Sequence, residues 1–95
     1  MNWDRRKTLC QEFARILGGT GSLDENGVCL VQKFRNLDFT ILGRETRSPL
    51  VLPQFFTFED LDSKGNALNL GETVLLQEEV NPLLTELRKR KIIVT

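Results

Sequence analysis

Apolar residues in this 95-residue chain recur at two different periods. Near the N-terminus Trp3, Cys10, Phe13, Ala14 and Leu17 fall at helical spacing, and Leu9 and Ile16 widen the stripe. That spacing predicts an amphipathic helix over 3–17. Asn2 is placed to cap it, Asp4 lies at the positive end of its dipole, and Gly18-Gly19 supply a left-handed stop.

The period then shortens. Gly18 to Gly27 reads as a loop by composition. Val28 to Phe34 and Phe39 to Leu42 read as two strands, with Val28, Leu30 and Phe34 on one face and Phe39 and Ile41 on its match. The short polar link between them predicts a hairpin. Gly43 to Pro53 is irregular, because Pro49 and Pro53 each remove a donor from any central strand. Leu50, Val51 and Leu52 either plug a hole in the core or form an exposed lip. Gln54 to Glu59 alternates as a strand with Phe56 and Phe58 on one side, and Ala67 to Leu70 is predicted to pair back on it. Asp60 to Asn66 between them is turn chemistry; Asp60, Asp62 and Asn66 fall short of the order a calcium loop needs.

The last third has the most regular pattern. Thr73 to Leu76 is a short apolar run that predicts a strand covered on both faces. A helix over 79–90 follows, with Val80, Leu83, Leu84 and Leu87 on one stripe and Pro82 in its first turn, where a missing N–H matters least. Ile92 to Val94 reads as a final strand, joined to Thr73–Leu76 by a crossover that is right-handed if the two are parallel.

These elements make an α+β fold: a single mixed or mostly antiparallel sheet of about five strands, with helices 3–17 and 79–90 packed on it. The alternative is an α/β sandwich with one helix per face. The expected core is Phe13, Leu17, Leu30, Phe34, Phe39, Ile41, Phe56, Phe58, Val74, Leu76, Val80, Leu84, Leu87 and Ile93.

Composition narrows the chemistry. Thirteen basic and thirteen acidic residues cancel, so the domain has no overall basic footprint for nucleic acid. Arg88 to Lys91 cover a full helical turn and point all round, which suits dipole complementation and solubility better than a phosphate-binding stripe. No run is long enough to span a membrane and no signal peptide is visible. The chain has no histidine, which excludes Ser–His–Asp, Cys–His and His-ligated metal sites within it. Cys10 and Cys29 show no motif spacing and read as free buried thiols in a reducing cytosol. A cytoplasmic location is therefore expected.

Gly71-Glu72, Val74-Leu75-Leu76, Glu79-Val80-Asn81-Pro82, Leu87 and Ile93-Val94-Thr95 together resemble the LppY/LpqO family, a bacterial family of no settled function with some lipoprotein members. The resemblance is specific over residues 70–95 and looser before them. It implies that Glu72, Glu79 and Asn81 are the polar positions assignable to a binding site, against the plainer reading of each as a cap or turn residue. In the family a His-Asn-His-type segment follows the Val-Thr strand, whereas this chain stops at Thr95. Residues 1–95 are thus expected to be one domain, or the N-terminal part of a longer family domain.

Two functions compete. The first is a small binding or regulatory module for an unidentified ligand, with no catalytic residue, cofactor or metal. The second is a metal-dependent enzyme whose site needs histidines downstream of Thr95. A second copy is expected to pair, if at all, through the exposed Ile92–Val94 strand.

Overall fold

The N-terminal periodicity does produce a helix, α1 (Trp3–Leu17), in a computed structural model that describes residues 3–94. The expected cap Asn2 lies outside the described residues. Gly18 ends the helix at φ +74°, and Gly19 N–H closes it by donating to the Ala14 carbonyl at 2.9 Å.

The chain then runs through strands β1 (Thr20–Leu23), β2 (Cys29–Phe34), β3 (Phe39–Ile41), β4 (Arg44–Thr46), β5 (Pro53–Glu59) and β6 (Leu68–Glu72). A 3-10 turn (Gln77–Glu79) leads into helix α2 (Val80–Lys89). The main sheet is antiparallel throughout, in the order β1-β2-β5-β6, and β3 and β4 form a separate two-stranded ribbon. The α+β class holds, but one five-stranded sheet is replaced by sheets of four and two strands.

Several expectations are corrected by this pairing. Part of the supposed loop 18–27 is β1, because Thr20 to Leu23 completes the free edge of β2. The hairpin between 28–34 and 39–42 does not form. Phe39–Ile41 turns back instead on Arg44–Thr46 through Leu42 and Gly43, both at positive φ, and β4 thereby falls within the stretch read as irregular. Ala67–Leu70 pairs on the phenylalanine strand as expected, with Phe58 opposite Asn69 and Phe56 opposite Gly71.

The faces of β2 are exchanged relative to the sequence reading. Cys29 and Val31 point to α1, with Val31 fully buried, while Phe34 is 69% exposed on the opposite side. The inward cluster is Cys10, Ala14, Cys29 and Val31, bordered by Phe13, Leu17, Leu23 and Phe58. The Phe13 and Phe58 rings meet edge to face at 5.2 Å. Gly21 lets the helix approach closely, since a Cβ there would lie 2.9 Å from that of Ala14. The two cysteines are joined as a disulfide, so the expectation of free thiols is overturned. Both are buried, as expected, but their pairing depends on α1 crossing β2.

The largest departure is in the last third. Thr73–Leu76 and Ile92–Val94 have no regular secondary structure, and no strand forms in either. Among the described residues there is thus no parallel crossover and no C-terminal strand for a second copy to extend; the free edges of the main sheet are β1 and β6. The element α2 adjoins the 3-10 turn before it and approaches no strand closely. None of its residues is buried, and Ile93 beyond it is 91% exposed. The radius of gyration, 15.1 Å, exceeds the roughly 12–13 Å of a compact chain of this length. The described residues therefore place one helix on the sheet, not two, and neither layered arrangement foreseen for α2 is realised.

Candidate functional site

The alternation of β5 assigns its residues to two faces. Phe56 and Phe58 lie toward α1, while Pro53, Phe55 and Thr57 lie on the far side with Leu30, Leu70 and Glu72, as the strand register requires. Among the described residues no helix other than α1 and no strand of the ribbon packs on the main sheet, and a cleft of about 260 Å³ opens at one end of the far face. Pro53 and Phe55 contribute from β5 and Glu72 from the end of β6. Thr73 and Val74 wall one side and Pro49 and Leu50 the other.

Local chemistry explains each wall. The Leu50 N–H donates to Ser48 Oγ at 3.1 Å, and the Val51 and Leu52 N–H groups donate to the Ser48 carbonyl at 2.9 and 3.1 Å. This tight turn separates three adjacent apolar residues. Val51 is buried, whereas Leu50 is 86% exposed, so the plug and the lip foreseen for this segment both exist on neighbouring residues. On the other wall Gln54 Nε2 donates to Thr73 Oγ1 at 2.8 Å.

The polar support comes from Arg35, just past β2. Its guanidinium donates to the Val74 carbonyl at 3.4 Å and to Glu79 Oε2 at 2.6 Å. The other Glu79 oxygen accepts from the Leu76 N–H at 2.7 Å, which ties the carboxylate back to the start of its own 3-10 turn. The bond from Arg35 first, and that from Leu76 second, hold the Glu79 carboxyl below its ordinary range. Arg35 also lies over the Phe39 ring, 5.8 Å from its centre.

The three polar residues expected from the family pattern therefore separate. Glu72 lines the cleft. Glu79 holds the Val74 wall through Arg35 and does not line the cleft itself. Asn81 is exposed in the first turn of α2 and belongs to neither group. Sequence reasoning missed Arg35, which follows Lys33 and Phe34 at the end of a strand and carries no motif of its own. The described ion pairs join Arg15 to Glu12, Arg35 to Glu79, Arg47 to Asp38, and Glu86 to Lys89 and Arg90; Glu72 is in none of them. The pairs to Glu86 engage Lys89 at the end of α2 and Arg90 just past it, half of the basic quartet 88–91.

A second groove, about 420 Å³, is lined by Arg6, Asn26, Gly27, Val28, Phe58, Glu59, Asp60 and Leu61. Larger though it is, Arg6 faces it together with two carboxylates, so it presents no single charge to a ligand. In the nearby turn Asp62 Oδ1 accepts from the Lys64 and Asn66 N–H groups at 2.9 Å each, the role of a turn residue. Among the described residues no three acidic or cysteine side chains gather to hold a metal ion, and no helix is long and apolar enough to cross a membrane.

Residues 11–95 match the family described as Domain of Unknown Function (DUF1259), and the chain belongs to that family of uncharacterised domains. No curated protein and no solved structure matches it.

Proposed function

We propose that this chain is a small binding module whose cleft takes a ligand with a short apolar body and a cationic head. The observation that carries this reading is Glu72, a carboxylate in no ion pair among the described residues, at the rim of a cleft otherwise lined by Pro49, Leu50, Pro53, Phe55, Thr73 and Val74. Apolar walls bury the ligand's carbon chain, and the carboxylate selects the sign of its charge. The volume suits one alkylammonium group, or a single basic side chain of a peptide. Glu79 serves as a positioning residue, acting on the wall through Arg35 and Val74. The resemblance of residues 70–95 to LppY/LpqO proteins supports a bacterial origin.

The test is an amide-resolved NMR titration with n-butylammonium, using n-butanol and butanoate as neutral and anionic counterparts. The ammonium alone should shift the Phe55, Glu72 and Val74 amides, and Glu72→Gln should abolish the response. Equal shifts from all three probes, or shifts confined to the Arg6–Asp60 groove, would refute the reading.

A further inference from the structure

We propose that the Cys10–Cys29 disulfide is a structural latch that makes this fold conditional on an oxidising environment. The bond joins the middle of α1 to the first residue of β2, across 19 positions of sequence. It supplies two of the four residues in the inward cluster; the other two are Ala14 and Val31. The helix thus rests on the sheet through small groups: the half-cystines, Ala14 and the bare backbone of Gly21, which lies too close to Ala14 to admit even a methyl. Small side chains bury little apolar area, and hydrophobic stabilisation follows area. The larger residues at the contact, Phe13, Leu17, Leu23 and Phe58, are only partly buried. A small domain with so few buried side chains is of the kind that a covalent cross-link stabilises most.

The chemistry is reversible. A dithiol reductant gives two electrons and two protons to the sulfur–sulfur bond, which becomes two thiols while the reductant closes to its own disulfide. Both cysteines are buried, so attack requires α1 to lift first, and once the bond is broken nothing covalent returns it. The cytosolic glutathione pool would disfavour such a cross-link, whereas an extracellular or periplasmic compartment maintains it. The compartment that fits this domain is therefore an oxidising one, which replaces the cytoplasmic location expected from free thiols.

The full chain, purified in air without reductant, should carry no alkylated cysteine when denatured in iodoacetamide; two modified thiols in a folded sample would overturn the proposal. Adding a phosphine or dithiol reductant should lower the Tm by about 10–20 °C, the range expected for opening a loop of this length in a domain of this size. Hydrogen exchange across Trp3–Leu17 should accelerate at least tenfold, alone or together with the sheet. An unchanged Tm and unchanged α1 exchange after complete reduction would refute the latch. The double variant Cys10→Ala/Cys29→Ala should match the reduced protein and ignore reductant; stability equal to that of the oxidised chain would count against the proposal. Should that variant not fold, reduction of the unaltered chain decides.

Discussion

The Arg35 guanidinium and the Glu79 carboxylate meet at 2.6 Å across 44 positions of sequence, and their pairing connects the end of β2 to the start of α2. Arg35 is largely shielded from solvent and Glu79 about one-third exposed, so the pair is partly screened by water and well short of a buried ion pair. Its importance is positional. The same guanidinium holds the Val74 carbonyl, so one side chain aligns segment 73–76 and the turn that follows.

This pair predicts a pH signature. The folded-state pKa of Glu79 lies below its ordinary value of 4.5, so its contribution to stability is complete above about pH 4.5 and is lost as pH falls through the lower, folded value. Glu79→Gln should lower the Tm at pH 7, and the gap between variant and parent should narrow below about pH 4.5. Thermal melts from pH 3 to 7 check this; a gap independent of pH would show that charge is not what the residue contributes.

The exchange of faces on β2 gives a paired prediction. Val31→Ala removes two methyl groups from a fully buried site and should cost about 2–3 kcal/mol. Leu30→Ala, on the half-covered far face, should cost about 1 kcal/mol or less. Urea denaturation of the two variants ranks them directly, and the reverse order would mean that β2 presents its other face to α1.

The β3–β4 turn predicts a gain. Leu42 sits at φ +54° with its side chain 97% exposed, a backbone region that branched apolar residues occupy at a cost and Asn or Gly accepts readily. Leu42→Asn should therefore stabilise the chain by about 0.5–1 kcal/mol. Chemical denaturation reads the change, and a loss of stability would indicate that the Leu42 side chain has a contact partner in solution.

Residue patterning made some of this architecture legible in advance. The spacing of Trp3, Cys10, Phe13, Ala14 and Leu17, followed by two glycines, specifies α1 and its end, because helix periodicity and a left-handed stop are local properties. The alternation around Phe56 and Phe58 and the Asp62 turn likewise foretell the β5–β6 hairpin. Glu72 was legible as a candidate only through its family context, and nothing local indicated that Arg35 would support the cleft.

The tertiary structure decided what depends on distant partners. Leu30 and Phe34 are larger than Cys29 and Val31, yet the latter pair faces inward, because α1 sits on that side and its Cys10 reaches Cys29. Thr73–Leu76 and Ile92–Val94 carry strand-like residues but are not strands: a strand needs a neighbour to form a ladder with, and neither segment pairs into a described sheet. Helical and turn signals are read from the few residues that produce them. Which face is buried, whether two cysteines meet and whether an extended segment joins a sheet depend on residues tens of positions away, so only the folded chain answers them.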